Sequence, residues 1–310
     1  MVQPSPAAWG AASTTPRARR RETDALETLF LADEISAWLS PAYGAANVVM
    51  QLADSGVAYG AANVVMQLAD SGVAYGVMES KVDSGNLHKH PIKRGRTTMT
   101  YIAVAVAGNA QDRRIYREAV DSAHVQVRSS SRSPVRYNAF DPHLQLWVAA
   151  CMSAVFEDTR RLRGGRTYHD PDAVHRAAAV FATTLQVPRE MWPADRAAFQ
   201  RYRDNRLDRL EFDDRMREFL VGIARLDFLP APFQALFGDW NLFMTVGYLP
   251  AQLRDKLGFT WTAVEQDRFD RWQRLLRMFD RLTPRAVMRL SMRAAVWDMR
   301  LRYVTGATVV

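Results

Sequence analysis

The residues with the most chemistry to offer are six histidines, His88, His90, His124, His143, His169 and His175, and one cysteine, Cys151. An imidazole can move a proton near neutral pH or bind a metal, so each histidine is a candidate until its spacing decides. His169 and His175 stand six residues apart, which does not put two ligands on one helix face, and they read as a polar loop leading into a helix. His124 is different. The spacing predicts a helix over residues 111–127, and His124 falls four residues after Val120 and eight after Tyr116, on that helix's apolar side. Read alone, this is a core histidine or a ligand, and both stay open. Upstream, Arg94 and Thr98 are four residues apart and share one helix face. They sit in a basic run with Lys93 and Arg96, whose plain reading is a solvated surface. No GxxxxGK[ST] loop, GxGxxG turn, HExxH pair or GxSxG elbow occurs, so no nucleotide, zinc-protease or serine-hydrolase site is indicated.

These residues need helices to hold them, and the chain supplies little else. Residues 1–22 are rich in Pro, Ser, Ala and Arg and read as a disordered basic arm, ahead of a helical domain over residues 23–310. A helix is expected to start near Thr23, with Leu26, Leu29, Phe30 and Trp38 at helical spacing. Residues 43–58 read YGAANVVMQLADSGVA, and residues 59–74 repeat them without a change. Two identical copies point to a recent tandem duplication, not to a repeat architecture, which needs three or more diverged units. Sixteen residues advance a helix by about 24 Å and leave it roughly 160° out of phase. One continuous helix would therefore turn one copy's apolar face outward, so one copy is expected to pack and the other to loop out or sit on the surface. Residues 101–106 are apolar enough for a buried helix or a strand. Asp141-Pro142, Asp170-Pro171 and Thr283-Pro284 open helices, and Thr262 with Glu265 forms a capping box before a stripe of Phe269, Trp272, Leu276 and Phe279. Further helices are expected near residues 193–206, 213–226, 231–246 and 250–257. Strand-and-turn spacing is nearly absent, so the class is all-α, a multi-helix single domain.

Charge and composition bound the function from the other side. The formal charge is +8, and Lys81, Lys89, Lys93 and Lys256 are the only lysines among 41 basic residues. Such a chain attracts nucleic acid, anionic lipid or an anionic substrate, and net charge alone decides none of these. A single cysteine excludes an intramolecular disulfide and a multi-cysteine metal site. No apolar run reaches the roughly 18 to 20 residues that span a bilayer. Arg17, Arg19, Arg20 and Arg21 are followed at once by Glu22, Asp24 and Glu27, where a signal peptide needs an apolar stretch, so a cytoplasmic protein is expected.

Three pieces then carry a resemblance. His90, Pro91, Arg94, Thr98 and Tyr101 stand in an HPxxRxxxTxxY pattern. His124 follows on the next helix, and Tyr137, Ala139, Asp141 and Pro142 lead into Trp147-Val148. In this order they resemble the MpaB/rubber-oxygenase family, which includes the latex-clearing proteins, and weaker likeness continues through residues 183–199 and 248–259. The resemblance implies a helical, globin-like core that holds haem b and activates dioxygen against a small apolar, often isoprenoid, substrate. It implies His124 as the iron ligand and Arg94 and Thr98 beside the opposite face of the haem. A guanidinium there can hold a haem propionate or steady negative charge on oxygen, and a hydroxyl can donate to it. Tyr101, one turn further on, lines the same pocket or packs, and Trp147 reads as core.

The chain also departs from that pattern. Gln67-Leu68 is followed by Ala69-Asp70-Ser71 where many members have His-Pro. Ala149 follows Trp147-Val148 where a histidine is common, Ser80 stands where another is often found, and Thr97 stands at the lysine of the latex-clearing proteins. Two rival readings remain. One is a non-enzymatic helical binding protein, drawing on the basic arm and on Arg285, Arg289 and Arg293 at four-residue spacing, although no motif that reads nucleic acid accompanies them. The other is a haem-free family member altered by the duplication.

Overall fold

Proline, aspartate and asparagine set the helix starts in the computed structural model, which describes residues 55–82, 87, 89–162, 170–280 and 285–310. Helix α1 spans Ser55–Leu68 and α2 spans Ser71–Met78, with Asp70 capping α2 by accepting from the Gly72 and Val73 amides. Helix α3 (Pro91–Ala107) opens on a proline, and α4 (Ala110–His124) opens on a capping box in which Asn109 and Asp112 satisfy each other's backbone amides. Helix α5 (Pro142–Leu162) and α6 (Pro171–Ala178) start at the two Asp-Pro pairs, and a short α7 covers Val180–Thr183. Helices α8 (Arg196–Asp208) and α9 (Asp214–Ala224) are capped by Asp195 and Asp213. Helices α10 (Ala231–Tyr248) and α11 (Ala251–Lys256) follow Pro230 and Pro250, where no backbone amide is left over. Helix α12 (Ala263–Asp280) starts behind the Thr262–Glu265 pair, and α13 spans Arg285–Val304.

Among the described residues there is no strand, only one antiparallel bridge between Arg128 and Asn138, and the fold is all-α. Residues 101–106, open between helix and strand in the sequence, lie inside α3. The helix expected from residue 193 begins at Arg196, because Asp195, in extended backbone, is its cap. The basic arm and the helix near Thr23 lie outside the described residues. No helix among them is long and apolar enough to cross a membrane.

The second copy of the duplicated segment is packed. Ala62, Val65, Met66, Leu68, Ala69 and Ala74 are buried, and α1 lies against α5, α9 and α10. The helix does not run on through the copy. It breaks at Ala69-Asp70, where Asp70 turns its side chain to the start of α2 and binds Arg206 at 2.5 Å. The same six-residue sequence, SGVAYG, begins both α1 at Ser55 and α2 at Ser71. The break at Ala69-Asp70 removes, within the second copy, the phase problem that one continuous helix would have. Most of the first copy lies outside the described residues.

Two apolar clusters share α5. Leu146, Ala149, Ala150 and Met152 face a cluster with α3, α4, α6, α7 and α13, while Trp147 and Cys151 face a second with α1, α9, α10, α11 and α12. Trp147 is fully buried, and its indole N–H donates to the Met66 and Gln67 carbonyls, so it is core, as its sequence context indicates. Phe269 of α12 presses on Gly247 of α10, where an added Cβ would lie 2.3 Å from the ring.

Candidate functional site

The site rests on an αα-hairpin. Helices α3 and α4 are joined by Gly108 and Asn109 alone, and Gly108 is needed because a Cβ there would lie 2.4 Å from the Val104 carbonyl oxygen. So tight a turn forces the helices antiparallel. Tyr101 then meets Tyr116, with ring centroids 5.9 Å apart, and the Tyr116 hydroxyl donates to the Thr97 carbonyl at 2.9 Å. Continuing the same register sets the first turn of α3, with Arg94, beside the last turn of α4, with His124. Asp112 clamps the turn end, accepting two hydrogen bonds from Arg300 of α13 at 2.8 and 2.7 Å, and that partner lowers its pKa.

His124 is partly buried, and its Nδ1 is enclosed with no hydrogen-bond partner. Burial, and then the positive charge of Arg94, push its pKa down to about 4. The imidazole is therefore neutral near pH 7 and keeps a nitrogen lone pair. Phe140 stands edge-on to the ring at 6.3 Å. Arg94 keeps accessible surface in a setting dense enough for burial to lower its pKa, and the charge of Tyr116 partly offsets this. Thr98 shares that face, and its hydroxyl donates to the Arg94 carbonyl at 3.2 Å. Tyr101 lies deeper: it is buried, burial raises its pKa, and its hydroxyl donates to the Phe181 carbonyl of α7. Arg94, Thr98 and His124 thus converge on one end of the hairpin, while Tyr101 ties its middle to α7.

The third sequence piece packs against the same end. After α4 the chain turns back through the bridge at Arg128 and Asn138, with Ala139 N–H donating to the Val127 carbonyl at 2.9 Å. The Tyr137 hydroxyl donates to Glu79 at 2.8 Å, and Gln145 donates to the Ala139 carbonyl at 2.7 Å. Gln145 also donates to Gln186, and Gln186 to Asp121, one turn before His124. Burial raises the pKa of Asp121. No sequence signal marks this chain of amides, since its members lie far apart in the sequence. Asn109 and Asp112, by contrast, are a capping box that their spacing could have revealed. On the neighbouring face of α4, Ala119, Ser122 and Ala123 line a groove of about 310 Å³ with Val82, Val309 and Val310.

The other histidines go elsewhere. His175, read as part of a polar loop leading into a helix, lies inside α6, which opens at the expected Asp170-Pro171 pair, and it is buried where a polar position was expected. It stacks on Trp192 and its Nε2 meets the Pro193 carbonyl at 2.8 Å. His143 is exposed on the first turn of α5, His90 precedes α3, and His88 and His169 lie outside the described residues. Among the described residues no three His, Cys, Asp or Glu side chains gather as a metal cage. A lone neutral imidazole with an unpartnered nitrogen suits a metal whose other ligands come from a macrocycle, so these residues fit a haem.

The model of the catalytic domain described as ER-bound oxygenase mpaB/B′/rubber oxygenase matches residues 47–278. An uncharacterized protein of Mycobacterium tuberculosis is 49% identical over 267 residues, which cover 86% of this chain and 98% of that relative. An uncharacterized protein of Mycobacterium bovis matches with the same identity and coverage. No solved structure matches.

Proposed function

This chain belongs to the mpaB/rubber oxygenase catalytic-domain family, and on that premise we propose that it is a haem b-dependent oxygenase acting on a small apolar, isoprenoid-type substrate, with His124 as the iron ligand. The observation that carries the reading is the enclosed, neutral His124 imidazole, with Nδ1 unpartnered, at the hairpin end that holds Arg94. When bound, haem b supplies the dioxygen redox chemistry. The chain's own groups bind, orient and exclude. A neutral His124 offers a lone pair without first losing a proton. Arg94, accessible yet hemmed in by protein, holds a carboxylate such as a propionate, or steadies negative charge that develops nearby.

Thr98 exchanges its bond to the Arg94 carbonyl for one to a polar ligand atom. Tyr101 and Tyr116 stay protonated, since burial raises both pKa values, and they brace α3 against α7 and α4. The apolar groove beside α4 favours a substrate without charge.

The absorption spectrum of the purified full chain tests this reading. We expect a Soret band, or its appearance when haemin is added to colourless protein. A folded chain that takes up no haemin would contradict it.

A further inference from the structure

One face of α4 is latched to the segment that follows α7. Arg117, Asp121 and His124 stand four and three residues apart, so they share that face. Arg117 donates to the Thr184 carbonyl at 3.2 Å and also to the Thr183 carbonyl. One turn on, Asp121 accepts from the Gln186 side chain. The segment itself is fixed by Leu185 and Val187, both buried in the apolar cluster that includes the hairpin. His124 is the last residue on this face, and its enclosed Nδ1 makes no hydrogen bond. The orientation of its ring is therefore set by what stands around it.

Gln186 joins this latch to the residue that faces the imidazole. Its backbone N–H donates to Gln145 Oε1 at 3.0 Å, and its side-chain oxygen accepts from Gln145 Nε2. Gln145 is buried on α5, and its Nε2 also donates to the Ala139 carbonyl at 2.7 Å. Next in the chain is Phe140, whose ring stands edge-on to His124. The bonds close a belt that runs from Asp121 through Gln186, Gln145 and Ala139 to Phe140, and so back to the imidazole. A primary amide suits the place of Gln186, which accepts from one partner and donates to the other; a carboxylate could not donate, and an alkyl chain could do neither. We infer that Gln186 is a positioning residue for His124: through Asp121 and Gln145 it fixes the last turn of α4 against Phe140 and so sets the orientation of the imidazole. Its consequence for haem rests on the reading of His124 as the iron ligand, since groups that orient a ligating imidazole tune the affinity for its metal. The orientation itself does not rest on that reading.

Exchanging the two ends of the Gln186–Asp121 bond tests this. Gln186→Glu sets a carboxylate against Asp121, whereas Asp121→Asn alone keeps an acceptor. The double variant Asp121→Asn with Gln186→Glu restores one donor and one acceptor in reversed order. In the full chain without haem, nuclear Overhauser contacts between the His124 and Phe140 rings are expected in the wild type and in Asp121→Asn. They are lost in Gln186→Glu and regained in the double variant. Haemin affinity follows the same order, weakened about tenfold in Gln186→Glu. Gly247→Ala, which strains the second apolar cluster instead, leaves both readouts unchanged, so a general loss of stability does not produce the pattern. Should Gln186→Glu not fold, Gln186→Ala removes the side-chain bonds without adding charge and loses the same ring contacts. Ring contacts that persist in folded Gln186→Glu or Gln186→Ala would overturn the inference, as would a double variant no closer to the wild type than Gln186→Glu. A set of variants that follows the expected ring contacts while the wild type takes up no haemin would contradict the proposed function and support the positioning.

Discussion

At the scale of the residue, His124 couples site and stability through its proton. Its pKa is about 4 in the folded chain against an ordinary value of 6.5, because burial and Arg94 disfavour the charged ring. Between those values the unfolded chain binds the proton and the folded chain does not. Folded stability is therefore whole above about pH 6.5, falls as pH drops towards 4, and loses about 3 kcal/mol across the window. Urea unfolding of the cofactor-free chain at pH 7.5 and pH 5 should show this slope, and His124→Gln should flatten it. Tyr101 makes a second case. Removing its hydroxyl in Tyr101→Phe leaves the Phe181 carbonyl without that donor, and the expected loss is about 1–2 kcal/mol in the same assay, with haem binding retained. The sequence made Arg94, Thr98, Tyr101 and His124 visible because their types and intervals are local facts. It did not show that the Tyr101 hydroxyl is bound to Phe181, eighty residues away, or that Gln186 links Gln145 to Asp121, since only the packed chain brings those partners together.

At the scale of the element, helix starts were legible wherever a side chain caps its own backbone, as at Asp141, Asp170, Asp213 and Thr262. Residues 101–106 were not, because a wholly apolar run carries no period, and the burial of residues 101–105 on all sides inside α3 explains why. The α3–α4 turn is held by Asp112, so Asp112→Ala removes half a capping box and both bonds from Arg300. It should lower stability by about 2–4 kcal/mol and weaken haem binding, measured by denaturation and haemin titration. Where α10 and α12 touch, Gly247→Ala forces the buried Phe269 ring to move, an expected loss of about 1–3 kcal/mol that leaves the haem spectrum alone. Deleting either copy of the duplicated sixteen residues yields one and the same chain. That chain keeps a copy able to fill the α1–α2 berth and loses mainly the first turn of α1, so its melting temperature should fall by only a few degrees, about 1 kcal/mol.

At the scale of the whole molecule, α5 binds two apolar clusters together, and the cluster built on α3, α4 and α13 is the one that presents His124. The family could be read from three motifs because their residue types and intervals are local facts of the sequence, and the structure brings Arg94, His124 and Phe140 of those motifs together at one end of a hairpin. The groove beside α4 was not legible, since it is formed with Val82 and the distant residues Val309 and Val310. The proposed function depends on His124 holding iron. Haemin titration followed at the Soret band, comparing the wild type, His124→Ala and the exposed control His143→Ala, tests that most directly. The account predicts saturable binding of one haem by the wild type and the control, and for His124→Ala affinity weakened by at least about tenfold with a displaced band. A folded His124→Ala protein that binds haemin with the wild-type affinity and the wild-type spectrum would contradict it.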